Sequence, residues 1–293
     1  MIKLFKLFAL FIIGSGLHAQ DLDSLLNEKV SETSEFTDAS FKSTRIINGH
    51  SVMQLHKQHL DFRISHRFGV VNNGISDLFG LDHGSIRFTL EYGINDWLTV
   101  GFGRSSFQAT YDGSLKFRIL RQSTGKKNMP VTLSYFAGMD IFTSPFPDPE
   151  RNNSNYHRLS YVHQLLIARK FNESLSVQLS PTLVHRNLVP TVYDMNDLFA
   201  MGFGGRFKVS KRMAITAEYF YTLRSPRSST RYYDPLSVGV DIETGGHVFQ
   251  IMFTNSSLMY DSGFISGEHN DNFFNGGIHL GFNISRMFSF QKE

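Results

Sequence analysis

Phe199-Ala-Met-Gly-Phe-Gly-Gly-Arg-Phe-Lys-Val-Ser-Lys-Arg-Met-Ala-Ile-Thr-Ala-Glu-Tyr-Phe-Tyr-Thr222 decides the fold. In the first half Phe199, Met201, Phe203, Phe207 and Val209 alternate with Ala200, Gly202, Gly204, Arg206 and Lys208. After Ser210-Lys211 the pattern resumes, with Met213, Ile215, Ala217, Tyr219 and Tyr221 set against Ala214, Thr216, Glu218 and Thr222. A period of two places successive side chains on opposite faces of a strand. One face here is greasy and the other charged or tiny, which describes a strand with lipid on one side and a polar lumen on the other.

Twelve such stretches run along the chain, at about 52–68, 84–93, 97–105, 113–121, 130–141, 158–171, 174–185, 198–209, 212–223, 236–243, 247–255 and 275–286. The connections sort by parity. Ile94-Asn95-Asp96, Asn172-Glu173, Ser210-Lys211 and Thr244-Gly245-Gly246 are tight, whereas 70–83, 142–157 and 256–274 are long. The connection at 122–129 is the longest of the short class. A soluble sandwich has no reason to sort its loops this way. The expectation is therefore all-β: a single transmembrane antiparallel β-barrel of about 12 strands at residues 41–290, with short periplasmic turns and longer extracellular loops.

Export fits this reading. Residues 1–19 resemble a signal peptide: Lys3 and Lys6 precede the apolar run Leu7–Ile13, and Leu17-His18-Ala19 approaches a cleavage site. No later segment reaches the ~18 continuous apolar residues of a membrane helix, so a spanning chain must use strands. Residues 20–40 read as a flexible periplasmic segment, and Asn48-Gly49 in 41–51 as a turn belonging to a small plug or to the lead-in of the first strand. The 293 residues carry a net charge of +3 and no basic cluster with interleaved aromatics, which argues against nucleic acid. The absence of cysteine excludes disulfides, thiolate metal sites and cysteine nucleophiles together.

Parity assigns the faces. Phe62, Ile64, Phe88, Leu90, Phe102, Phe117, Phe203, Ile215, Ile251 and Phe282 point to lipid, and Tyr92, Trp97 and Phe171 flank tight turns where an aromatic girdle belongs. The inner set is Asp61, Arg63, Arg67, Arg87, Glu91, Lys116, Arg118, Asp140, Arg206, Lys208, Glu218, Asp241, Glu243 and His279. Turned to lipid, each charge would cost ~2–4 kcal/mol near the midplane. Turned inward, they either line a polar path or pair with one another in a closed lumen. Gly101, Gly103, Gly202, Gly204, Gly239 and Gly281 share that face and tilt the reading towards a filled or narrow pore.

The segment Asn275-Gly-Gly-Ile-His-Leu-Gly-Phe282 resembles the terminal-strand signal read by barrel assembly machinery, although the chain continues to Glu293. Thr44-Arg-Ile-Ile-Asn-Gly-His-Ser51, Ile64-Ser-His-Arg-Phe-Gly69, Tyr92-Gly-Ile-Asn-Asp96, Thr244-Gly-Gly-His-Val-Phe-Gln250 with Phe253-Thr-Asn-Ser256, and Gly281-Phe-Asn-Ile-Ser-Arg286 together resemble an uncharacterised family of outer-membrane β-barrels from the Bacteroidetes, a domain of unknown function. The resemblance covers about residues 40–290 and implies an outer-membrane location. It carries no activity and no site residues.

Twelve histidines invite a metal reading. His56 and His59 fall on opposite faces of a strand, and His50, His66, His163, His247 and His279 are scattered, so no cofactor is expected. A haem or metal at the periplasmic mouth would need His50, His247 and His279 together. Outer-membrane phospholipases use a Ser-His pair on the outer wall, but Ser65 and His66 are neighbours on opposite faces and cannot relay a proton. The expected function is a narrow channel or pore for a small hydrophilic solute. The alternatives are a non-conducting barrel acting as scaffold or partner in an envelope complex and, third, a lipid-active enzyme. The partners implied are outer-membrane lipid and the assembly machinery.

Overall fold

The computed structural model describes residues 34–146 and 148–291. The signal-peptide expectation for residues 1–19 lies outside them. Twelve antiparallel strands close into one barrel. They are β1 His59–Val70, β2 Gly84–Asn95, β3 Leu98–Ser105, β4 Tyr111–Leu120, β5 Thr132–Ile141, β6 Leu159–Lys170, β7 Leu175–Arg186, β8 Asp197–Lys208, β9 Met213–Thr222, β10 Leu236–Thr244, β11 His247–Thr254 and β12 His279–Ser289. Each strand pairs with its sequence neighbours, and β12 returns to β1, from His279 opposite Val70 to Ser289 opposite His59. Closure leaves no sheet edge, which is what a strand-built span in lipid requires.

The alternation read from the sequence becomes inside and outside. Phe207 is 50% exposed and Ile215 45%, whereas their neighbours Arg206 and Thr216 are 3% and 1%. The tight connections lie at one end and the longer loops at the other. At the tight-turn end Ser34–Phe36 pairs with Ser123–Gly125, and Asp38 pairs with Arg121. This clip accounts for the long 121–131 connection, and it ties down the end of the stretch expected to be a flexible segment at 20–40.

The lumen is filled from both ends. Residues 40–57 leave the tight-turn end, rise into the barrel and return to it, where the Lys57 N–H donates to Asp96 at 3.2 Å. From the loop end, residues 255–278 fold inward around a short helix, α1 Asp261–Ser266, every residue of which is buried. Phe41, Ile46, Ile47 and Val52 of the first segment and Leu258, Phe264 and Ile265 of the second join Phe136, Val162, Leu166, Val184, Leu198 and Phe220 of the wall in one apolar cluster.

Two expectations are corrected here. The first strand starts at His59 rather than at 52, and residues 41–57 are plug rather than barrel wall. A segment buried on all sides shows no sidedness, so its apolar residues look like those of a strand. Strand β4 begins at Tyr111, two residues earlier than expected, which brings Asp112 onto the inner face.

Candidate functional site

The plug is built around the Asn48-Gly49 turn. The Ile46 N–H donates to the Gly49 carbonyl at 2.8 Å, the Ser51 N–H donates to the Thr44 carbonyl at 2.9 Å, and Arg45 bridges His50. The turn tip points its N–H groups at one carboxylate. Glu218 on β9 accepts from Ile47 at 3.2 Å, Asn48 at 2.7 Å and Gly49 at 3.0 Å. Three converging donors suit a buried carboxylate, because hydrogen bonds to an ionised group are the strong ones. Gly204 on β8 lets the plug approach: a Cβ there would collide with the Ile46 side chain.

The rest of the wall holds the plug backbone in the same way. Gln178 accepts from the Val52 N–H and donates to the His50 carbonyl, both at 2.7 Å. Gln250 donates to the Ile46 carbonyl at 2.7 Å and Asn283 to the Ile47 carbonyl at 3.1 Å. Lys116 reaches the carbonyls of Thr44 and Ser51 at 3.3 and 3.4 Å. Arg67 donates to the Asn48 side chain at 2.8 Å, and Arg63 donates to Ser43 and Thr44. A non-helical backbone inside a barrel must find partners for its N–H and C=O groups, and these wall side chains supply them.

The remaining inner residues pair among themselves. Asp61 lies 3.3 Å from Arg63, Arg87 holds Asp112 in a two-pronged pair, and Glu243 takes Arg206 at 2.9 Å and Lys42 at 3.0 Å. Asp241 accepts from Gln250 at 2.9 Å, and His279 contacts Asp271 at 3.0 Å near the loop end. Arg118 lies in a small crevice at the tight-turn mouth with Asp38 and Arg121, and Lys208 is half-buried at that end. Asp140 faces the other end, beside Ser262.

The two inward segments meet at a buried charge cluster. Arg45 Nη2 lies 3.3 Å from Asp261 Oδ2, and His50 Nε2 lies 3.5 Å from the same oxygen. Glu91 approaches both Arg45 and His50 at 4.0 Å, and the His50 ring lies 3.9 Å from that of Phe136. Burial, reinforced by Arg45, pulls the His50 imidazole down to about 4, leaving it uncharged at neutral pH. Burial alone would raise the Asp261 carboxyl, but the Arg45 guanidinium, with Arg87 beyond it, holds it well below the usual carboxylate range.

Sequence reasoning missed Arg45 and Asp261, and singled out His50 only as a haem or metal ligand, because all three lie outside strands, where parity says nothing. Gln178, Gln250 and Asn283 share the parity of the inner set and were legible as inward, although they carry no charge, whereas Asp112 fell just outside the expected strand at 113–121. The three histidines of the haem expectation are dispersed: His50 is in the plug, His247 starts β11 at the tight-turn end, and His279 starts β12 at the loop end. Among the described residues no three His, Cys, Asp or Glu side chains are grouped to hold a metal. Ser65 is buried in the lumen while His66 stacks on Phe282 outside, so the two form no relay.

Above α1 the loop end opens into a cavity of about 390 Å³. Ser262, Gly263 and Tyr260 form its floor, Asp140, Ser160 and Arg186 its wall, and Phe142, Arg151, His157, Glu268 and His269 its rim. Arg186 pairs with Glu268 at 3.0 Å while its Nε has no partner.

Residues 41–288 match the family described as "Membrane bound beta barrel domain (DUF5777)". No curated protein matches the chain. Among solved structures, the NanC porin is similar at 9% identity and a TM-score of 0.47, over 80% of this chain and 100% of that one. The COG4313 outer membrane channel of Pseudomonas putida F1 is similar at 14% identity and a TM-score of 0.45, over 80% and 97%. The outer membrane phospholipase A of Escherichia coli follows at 12% identity and a TM-score of 0.44, over 83% and 96%.

Proposed function

Because the chain belongs to that family of membrane-bound β-barrel domains, we propose that it is an outer-membrane channel for a small hydrophilic solute, kept closed by its own N-terminal plug. In this reading the tight turns face the periplasm, the plug enters from that side, and the solute enters through the cavity at the loop end. The inner set, Asp61 to His279, is the wall of the path once the plug has left.

One observation carries the reading: the plug is held to the wall by polar and charged side chains. A filler meant to stay would be cheaper if apolar, since replacing buried charges by packed hydrophobic groups is often neutral or stabilising. Water can take over every bond that Glu218, Gln178, Gln250, Asn283, Lys116 and Arg67 make to the plug. A wall of this kind tolerates both a docked and a hydrated state, and a charged lumen then selects what passes.

The chain has no cysteine, so a lock can be built cleanly. Asn48 donates to Ser237 at 3.1 Å across the plug–wall contact. Asn48→Cys with Ser237→Cys should give a protein in planar bilayers that is silent when oxidised and shows conductance steps when reduced. Silence in both states, together with silence of the wild-type protein at all voltages, would refute the channel.

A second reading is favoured by the apolar cluster of Phe136, Leu166, Val184, Phe220, Phe264 and Ile265 inside the lumen. Such packing does not rehydrate cheaply, and it suits a non-conducting barrel serving as scaffold in an envelope complex. Silence in the same experiment supports that reading.

A further inference from the structure

The outer wall carries a site that the channel reading does not use. Strands β6 and β7 pair at Gln164 opposite Thr182 and again at Ile167 opposite Leu179, but Leu165 and Leu166 have no partners opposite Ser180 and Pro181. The Phe171 N–H donates to the Leu175 carbonyl at 2.9 Å, which sets the phase of the ladder. Counting by two residues on each strand, Leu165 and Pro181 stand at a position where N–H and C=O groups should be exchanged. Proline has no N–H to give. The Leu165 carbonyl is therefore left without a ladder donor in the lipid-facing wall, where an unsatisfied backbone group is strongly unfavourable.

A groove of about 540 Å³ lies over this gap, lined on its apolar side by Leu165, Leu183, Phe199, Met201 and Tyr221. At its edge, toward the loop end, Tyr135 Oη and His163 Nδ1 are 2.7 Å apart. With Tyr135 donating, the ring proton resides on Nε2, which is then a free donor. Hydrogen-bonding side chains turned to hydrocarbon are costly and mark function by default. His163 and Leu165 are two residues apart on the same face of β6, so the donor and the bare carbonyl are separated by ~7 Å along the strand.

The geometry points to a binding site for a 3-hydroxyacyl chain of an outer-leaflet lipid. The acyl carbonyl accepts from His163 Nε2, the hydroxyl donates to the Leu165 carbonyl, and the hydrocarbon tail runs down the groove. A carbonyl acceptor followed a few atoms later by a hydroxyl donor matches the donor and acceptor of the wall in order and in direction. A plain acyl chain fills the groove but leaves the Leu165 carbonyl bare.

The test uses the full-length protein folded in detergent micelles, with 3-hydroxytetradecanoic and tetradecanoic acid as probes and bound copies counted by native mass spectrometry. One hydrogen bond in an apolar setting predicts that the hydroxylated chain binds about three- to tenfold tighter. In Pro181→Val the ladder regains its N–H, and the preference should fall to unity while the tetradecanoic acid still binds. Leu183→Trp, which fills the groove, should weaken both probes. Equal affinities in the wild type, binding of neither probe, a preference that survives Pro181→Val, or a groove closed by a second copy of the chain would each overturn the site.

Discussion

Arg45 of the plug and Asp261 of helix α1 meet 3.3 Å apart inside the barrel, each almost fully buried. The first comes from the tight-turn end and the second from the loop end. This one ion pair therefore joins the two segments that fill the lumen.

Removing either partner leaves the other charge buried and uncompensated, at a cost of about 3–5 kcal/mol. Arg45→Met and Asp261→Asn should each loosen the plug by that order, and the double variant should be less damaged than the sum of the two. A double-mutant cycle on plug release, followed by protease cleavage within residues 40–57, measures the coupling. Additive losses would mean that the two segments dock independently.

Glu218 should matter through its three N–H contacts rather than through a partner cation. Glu218→Ala leaves three buried donors unsatisfied and should weaken plug docking by about 3 kcal/mol or more. Glu218→Gln keeps an acceptor and should lose less. Hydrogen exchange at Ile47, Asn48 and Gly49 is the direct readout, and these amides should lose protection while those of β9 keep theirs.

Acid should undock the plug. His50 titrates at about 4 when buried against an ordinary value of 6.5, so the undocked state binds more protons between those values and docking weakens as pH falls from 6.5 towards 4. The groups facing His50 are Arg45, Asp261, Glu91 and Lys116. The depressed Asp261 adds a loss in the same direction as pH falls through the carboxylate range below 3.8. The ratio of docked to undocked plug should change by up to about tenfold per pH unit between 6.5 and 4. His50→Gln should flatten that part of the profile while leaving the Asp261 limb in place. Open probability or protease sensitivity against pH checks both.

The lipid-facing assignment has its own test. Phe203 is exposed on the outer wall at mid-strand, and Ile215 is exposed on the same wall closer to the tight-turn end. Phe203→Arg should cost ~2–4 kcal/mol and abolish the heat-modifiable gel shift of a folded barrel, and Ile215→Arg, nearer the interface, should cost less. Normal folding of Phe203→Arg would reverse the two faces.

Much of this was legible in the chain because lipid enforces a strict code. A strand between hydrocarbon and a polar interior must alternate at every residue, so the strand count and the burial of Arg63, Arg87, Glu91 and Arg206 follow from parity alone. The partners did not follow. Glu218 was readable as inward, but nothing local says that it faces the N–H groups of residues 47–49, which are about 170 positions away in sequence. Pro181 is a misfit in a strand because it has no N–H to give, yet only the register shows which carbonyl it leaves bare.

The sequence by itself determined a twelve-stranded barrel, its inside and its outside, because those depend on a two-residue period that each strand carries on its own. Tertiary structure alone decided that the lumen is occupied. Residues 43–52 and 258–267 are buried on every side, so they carry no periodicity to betray their place, and their hydrogen bonds go largely to wall residues distant in the chain. The alternation that identifies the barrel describes a wall, and what fills a wall is settled only by long-range contact.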